Sequence, residues 1–502
     1  MARALAFPAQ SRERALAGLL AAVAGLRVFL FAAAFPFFSN VDEHRHIDMV
    51  LKYARGYWPA PGTEAYEPEM ASLLGVYGSP EYHRPPDSER PLSPPASRRD
   101  PAVTVRMIER NERFLDARPN LEAFQPPVYY ATAGLWMRLG RGLGIEGGYL
   151  LYWVRALNAG AYAMLVLLCW ASLREIYPPG AFPRLAVPAL LAVFPQDALY
   201  YVTRDAFSPL LAGAALFAVI RVARRPDLGP ASYAMAGIAA GVAVLGKYTN
   251  GIVLPVAALG SIVALRSAQP EARGRCAGKL LLLWALALIL VGGWLLRNQL
   301  VFGELLVTSG KLERLGWGRK PFSEWWGHPI FTPWGMWVFV TDLLPTFWRG
   351  ELAWNRRTLA LGGADIFYSV TSLSCLALAC IGWLRRRDAP GPRMAEGLSI
   401  AAVASAAAVL IGLSMMFVFG ENTNPTADRP FFIQGRLVAG VLVPFVLLYV
   451  RGIEVGASVL GPRLRLRAAW ICLMAVAAVA IGSELYLSAE VFASEYNWFH
   501  LP

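Results

Sequence analysis

Apolar runs of about bilayer length recur eleven times along this chain, at 15–38, 151–173, 185–203, 206–222, 232–247, 249–265, 280–296, 364–384, 396–419, 435–450 and 468–488. A helix needs roughly twenty apolar residues to cross the hydrocarbon core. Backbone polar groups can be satisfied there only inside helices or closed barrels. The pattern therefore predicts an all-α polytopic membrane protein with about eleven transmembrane helices. Composition points the same way: 56% of the 502 residues are hydrophobic and only 16% are charged, too apolar for a soluble multidomain protein.

The formal charge of +12 excludes a nucleic-acid reading once its distribution is considered. Basic residues fall in short linkers between apolar runs, as in cytoplasmic loops. The five cysteines, Cys169, Cys276, Cys375, Cys380 and Cys472, lie within or beside apolar runs with no C-x-x-C pair. A disulfide framework or zinc-cysteine site is not expected. Arg3, Arg12 and Arg14 precede the first run, which is too long for a signal-peptide core and reads as an uncleaved first span.

Charge parity sets the expected topology. The segment from Pro126 to Leu139 is apolar but short and ends near Arg138 and Arg141. Were it a crossing, Arg221, Arg224 and Arg225, then Arg266, Arg273, Arg275 and Lys279, then Arg385, Arg386 and Arg387 would all face outward. Lying flat on the outer surface, it leaves these clusters inside with Arg174, Arg184, Arg451, Arg463, Arg465 and Arg467, as the charge bias prefers. The expected layout is then a transmembrane module over 1–296 with a first outer loop at 39–150, a second large outer loop at 297–363, and C-terminal helices with a short outer tail over 364–502. Within the first loop, 59–100 is rich in Pro, Ser and charge and reads as mobile. The second carries Trp317, Trp325, Trp326, Trp334, Trp337, Trp348 and Trp354, which suggests short helices in the membrane interface. No internal repeat is evident.

Where the first run ends, a burst of ionisable residues begins: Asp42-Glu43-His44-Arg45-His46-Ile47-Asp48. Carboxylates at a water–lipid boundary can meet a polar substrate from one side and a lipid-borne one from the other. Asp42 and Glu43 are adjacent, so their side chains diverge and serve two roles. One can accept a proton as general base, an effect of roughly 10²–10⁴ in rate, while the other orients a substrate. His44 and His46 among these carboxylates resemble ligands for a divalent metal, but no distant third ligand is evident and no metal residues are assigned. His46 reads as a hydrogen-bonding partner in the same site.

Cations at span ends form the complement: Arg155, Lys247 beside Tyr248, Arg297, and Arg436 in Gln434-Gly435-Arg436. Singly, each reads more readily as an interfacial anchor. On one face with the carboxylates, they suggest a phosphate site, and Asp205 is placed to orient one of them. Arg27, inside the first span, is given no role.

These residues resemble, in order, motifs of the GT-C membrane glycosyltransferases, particularly the protein O-mannosyltransferase and aminoarabinose-transferase branch. Asp42-Glu43-His44 after span one looks like that family's first-loop acidic pair. Gln125-Pro126-Pro127-Val128-Tyr129-Tyr130 is similar to its Pro-Pro-Leu-Tyr-Tyr type helix, with Gln where Lys or His is frequent. Trp153-Val154-Arg155-Ala156-Leu157, Thr203-Arg204-Asp205-Ala206, Gly246-Lys247-Tyr248-Thr249 and Gln434-Gly435-Arg436 resemble further motifs. The resemblance implies transfer of a sugar from a polyprenyl-phosphate donor to a glycan, lipid or protein acceptor. The active site would face the periplasm or exterior of a bacterial inner membrane, with Asp42 as base, Glu43 as helper, and 311–356 covering the donor. The rival readings are a transporter or lipid flippase, and a structural partner in an envelope complex.

Overall fold

The computed structural model describes residues 9–39, 42–84, 91–385, 390–421 and 425–501. Arg3, Arg386 and Arg387 lie outside the described residues. Seventeen α-helices carry the described chain: α1 (Ala9–Ala34), α2 (Glu43–Ala54), α3 (Pro68–Tyr77), α4 (Pro101–Asp116), α5 (Val128–Gly142), α6 (Gly147–Ile176), α7 (Pro183–Ala192), α8 (Ser208–Arg224), α9 (Pro230–Gly246), α10 (Val253–Ser267), α11 (Arg273–Phe302), α12 (Ser309–Leu315), α13 (Pro333–Arg349), α14 (Gly362–Arg385), α15 (Pro390–Met416), α16 (Leu442–Ala457) and α17 (Pro462–Phe492). Sheet is confined, among the described residues, to two antiparallel two-residue pairings, Gly318–Arg319 with Phe417–Val418 and Ala353–Trp354 with Arg357–Thr358.

Nine described segments are long and apolar enough to cross a membrane, and α7 and α9 are shorter apolar helices. Together they occupy the eleven runs, and the protein is an all-α polytopic membrane protein. Apolar helices that follow one another in the chain alternate in direction, so the turns gather at two ends, while α9 and α11, and α14 and α16, pack side by side running the same way. One end is basic: Arg184 pairs with Glu13 at 2.8 Å, Arg224 donates to the Glu175 carbonyl at 2.6 Å, and Arg465 meets Glu454 at 2.6 Å. The other, the cap end, holds the loops 39–146 and 303–361.

α5 lies in the cap, packed on α2 and α6, and is not among the segments long enough to cross. The stretch 59–100, expected to be mobile, instead forms α3 and short 3₁₀ turns over its described residues. Lys52 donates to the Thr63 carbonyl at 3.1 Å and Arg99 to that of Gly75 at 2.7 Å. Residues 85–90 of that stretch lie outside the described residues. In the tryptophan-rich loop the indoles divide: Trp326, Trp334 and Trp337 are exposed, whereas Trp348 and Trp354 are buried.

One run departs from the expected helix. The sequence predicts a crossing over 185–203, but α7 stops at Ala192. Pro195 removes an N–H and disfavours helical geometry at Phe194, so the remainder continues as buried irregular backbone. Such backbone needs partners, and polar side chains from other helices supply them. Tyr162 donates to the Leu191 carbonyl at 2.7 Å. Asn158 donates to Tyr201 at 2.7 Å, and Arg27 to the carbonyls of Ala192 at 3.1 Å and Phe194 at 2.7 Å. Arg27 is also paired with Glu484 of α17 at 2.6 Å. Its place in the first span is that of a cap for a broken helix.

Candidate active site

Asp42 opens α2 in the left-handed region, at φ 64°, and makes no capping hydrogen bond with its side chain. Left-handed geometry is uncommon outside glycine, though Asp and Asn are enriched there. The turn leaves the Asp42 carboxylate about two-fifths exposed (40%), 3.2 Å from Arg45, and near enough to Arg436 to act on it electrostatically.

The next residue goes the opposite way. Glu43 has no exposed surface and meets Arg155, equally buried, at 2.7 Å. It also accepts from the backbone N–H of Phe38 and Val202, each at 2.9 Å. Arg155 spends its remaining donors on the carbonyls of Ala32 at 2.8 Å, Phe35 at 2.5 Å and Pro36 at 2.9 Å. Both residues were expected to face a substrate. The structure places them instead in the join between α1, α2, α6 and the broken end of α7.

A second set forms around Asp205. Its two oxygens take Lys247 at 2.5 Å and Arg436 at 3.3 Å, and Lys247 also donates to the Arg436 carbonyl at 2.9 Å. Arg436 in turn meets Glu351 at 3.1 Å. Gly435 makes this approach feasible, because a Cβ there would collide with Phe347 Cα on α13. Gln434 is buried beside it. Tyr248 accepts from Trp294 at 3.0 Å.

Arg297 stands apart from these pairs. It donates to Asn298 at 3.0 Å, and its guanidinium lies 5.4 Å from the ring centroids of Trp58 and Trp294 and 5.0 Å from that of Phe302.

A third cluster gathers His46, Gln125, Tyr130 and Arg204, all in motifs read from the sequence, around Glu122 and Lys311, which the sequence did not single out. Glu122, buried, accepts from Arg204 at 2.9 Å, Lys311 at 3.2 Å and Tyr130 at 3.1 Å. Arg204 also donates to Gln125 at 2.5 Å. Tyr130 shares a hydrogen bond with His46 Nδ1 at 2.7 Å. Burial alone would raise the Glu122 carboxyl, but Arg204 and Lys311 outweigh it and hold it well below the usual carboxylate range. Burial pushes His46 down to about 4, so its imidazole is neutral at pH 7 and donates one ring nitrogen while accepting at the other. The only sequence hint to Glu122 was position, just before the Pro-Pro motif.

The two imidazoles do not suit a shared metal. His44 stacks on Tyr66, ring centroids 6.1 Å apart, while His46 is committed to Tyr130. Among the described residues no three His, Cys, Asp or Glu side chains converge as a metal set would. Elsewhere, a crevice between α6, α8 and α9 is lined by Glu175, Arg221 and Arg224, but Glu175 and Arg221 are each 49% exposed and 3.4 Å apart, a solvated pair rather than a built site.

The cap end can thus offer an exposed carboxylate, Asp42, across from a buried carboxylate that organises two cations. A carboxylate can take a proton; the cations can hold an anion.

Among solved structures the chain is similar to ArnT from Cupriavidus metallidurans bound to undecaprenyl phosphate, with 15% identity, a TM-score of 0.46 and coverage of 95% of this chain and 77% of that one. It is also similar to the same protein in the apo state, with 14% identity, a TM-score of 0.47 and coverage of 96% and 77%. No curated protein matches it. The family model described as "Predicted membrane protein (DUF2142)" matches residues 26–443, and the chain accordingly belongs to the DUF2142 family of membrane proteins.

Proposed function

We propose that this protein is a GT-C-like glycosyltransferase that moves a sugar from a polyprenyl-phosphate-type donor to an acceptor hydroxyl at the cap end. The observation that carries the reading is the pairing of an exposed carboxylate held in left-handed backbone, Asp42, with the Lys247–Asp205–Arg436 set. The order of motifs, which resembles that of the GT-C glycosyltransferases, supports it. With the basic end in the cytoplasm, the cap end faces the periplasm or exterior.

In this mechanism Asp42 accepts the acceptor's hydroxyl proton as its oxygen attacks the anomeric carbon. The bond from that carbon to the phosphate oxygen breaks, and the electron pair leaves with polyprenyl phosphate. Lys247 and Arg436 stabilise the charge that develops on the leaving group. A single displacement inverts the anomeric configuration. Glu43 and Arg155 hold the backbone on which Asp42 is mounted, so they act as positioning residues. Arg297, among aromatic rings near Trp58, lines the side on which the donor's lipid would lie.

The test is release of polyprenyl phosphate from a panel of polyprenyl-phosphate sugars by protein in lipid, with an envelope extract as acceptor source. Wild type releases it and Asp42→Asn does not. Equal release from both variants would refute Asp42 as base.

The buried Arg27–Glu484 pair is the one observation that suits a transporter or flippase, since ionisable residues inside spans often mark a transport path. Retained translocation of a polyprenyl lipid in Asp42→Ala vesicles would favour that reading.

A further inference from the structure

Arg436 has two carboxylate partners that differ in kind. Asp205 is 5% exposed and locked to Lys247 at 2.5 Å, on the buried side of the guanidinium. Glu351 and Arg436 are each about one-fifth exposed, at 21% and 22%, so Glu351 is the more accessible of the two carboxylates paired with the guanidinium, and Asp42, 40% exposed, also acts on it electrostatically.

The chain builds this placement with some care. Glu351 follows Gly350, which ends α13 at φ 80°. A side chain on Gly350 would be strained there and would also collide with the Asp197 carboxylate. That carboxylate accepts the backbone N–H of Glu351 at 3.0 Å. The backbone of Glu351 is therefore fixed, whereas among the described residues its carboxylate is held only by the charged contact with Arg436 at 3.1 Å. Asp197, buried, is pushed up to about 7, by burial first and then by the Glu351 charge. The added negative charge of an ionised Asp197 would loosen the Glu351 carboxylate's seat.

Resting on the phosphate-binding reading above, we infer that Glu351 is an internal counter-ion that competes with the donor's phosphate for Arg436 and so sets how tightly the donor and the departing polyprenyl phosphate are held. It is a specificity-determining and positioning residue, since it touches Arg436 rather than the reacting atoms. The donor's phosphate is a diester with one negative charge and two free oxygens, like a carboxylate, whereas the departing phosphate monoester bears up to two charges and three free oxygens. Glu351 therefore competes with the donor on even terms, and its competition weakens the hold on the more highly charged product.

The test uses the full-length protein in lipid nanodiscs with farnesyl monophosphate as the probe, alongside transfer kinetics. Glu351→Gln is expected to bind the probe about tenfold more tightly than wild type, as loss of one competing charged contact implies. Its donor KM should fall, and so should its kcat, because product leaves more slowly. Glu351→Ala removes the competitor without leaving an amide, and should show the same tightening. In Glu351→Gln/Arg436→Met the gain should vanish relative to Arg436→Met. Unchanged or weaker probe binding in both Glu351 variants would overturn the inference. Tighter binding with no transfer by any variant would leave the counter-ion standing and refute the glycosyl-transfer reading instead. Absence of probe binding by wild type and both variants would overturn the counter-ion, while the Asp42→Asn release assay decides transfer independently.

Discussion

Glu43 and Arg155, 112 positions apart in the chain, meet at 2.7 Å with no exposed surface on either. Removing one member of such a pair leaves a buried charge without its partner, at a cost of about 3–5 kcal/mol. Glu43→Gln and Arg155→Met are therefore expected to lower the thermal unfolding midpoint in detergent sharply and to reduce the yield of folded protein. Asp42→Asn, one residue away and partly exposed, should unfold within a degree or two of wild type while losing transfer. Similar stability losses in all three would merge their roles.

The Asp205 set predicts a different phenotype. Lys247→Met and Arg436→Met each remove one cation proposed to hold the phosphate, and each should weaken farnesyl monophosphate binding about 10–100-fold, the range of a charge-assisted contact of about 1.5–3 kcal/mol. Asp205→Asn leaves two neighbouring cations with less compensation and should be the least stable of the three. Titration calorimetry and thermal unfolding separate the two effects.

His46 gives a pH signature. Its imidazole is pushed down to about 4, against about 6.5 in an unfolded chain, so between those values the unfolded chain binds more protons and stability falls as pH drops from 6.5 toward 4. Burial of His46 thus withdraws about 3 kcal/mol across that window. Asp197, raised to about 7, acts with the opposite sign over an overlapping window, because its folded form holds a proton that the unfolded chain has released. The measurement is accordingly the difference between wild type and His46→Asn in unfolding midpoint against pH. The variant should lose less stability on acidification; identical slopes would remove His46 as the source.

Arg27 also donates to the Tyr200 hydroxyl at 2.6 Å, and Arg27→Lys keeps a charge for Glu484 but cannot reach that hydroxyl together with the carbonyls of Ala192 and Phe194. Loss of those hydrogen bonds is worth about 1–3 kcal/mol, so this variant should show a lower unfolding midpoint and faster proteolysis near 193–203. A variant indistinguishable from wild type would mean that the broken end of α7 is held without it.

The sequence displayed the fold more fully than the site. Span number and the segregation of basic loops are written locally, in residues within one run or linker, so periodicity and charge count reach them. The stop at Ala192 was also legible in part, since Pro188 and Pro195 stand inside the run 185–203. The pairings were not. Arg27 with Glu484 spans 457 positions and Lys311 with Glu122 spans 189, and one sequence carries no mark of which acid will meet which base. Asp42, Lys247, Asp205 and Arg436 stood out because each sits where an apolar run meets polar residues. Glu122 and Glu351 lie amid other charged loop residues and look solvated until the backbone is folded around them.

The left-handed backbone at Asp42 bears on how its chemistry can be isolated. Alanine placed at φ 64° would bring a conformational penalty of about 1–2 kcal/mol, so an inactive Asp42→Ala protein would report distorted geometry and missing carboxylate together. Asparagine accepts the same torsion and nearly the same volume, and glycine accepts the torsion with no side chain at all. A trio of Asn, Gly and Ala at this one position therefore separates shape from proton affinity: only the Ala variant bears the torsional load, while all three lack the carboxylate.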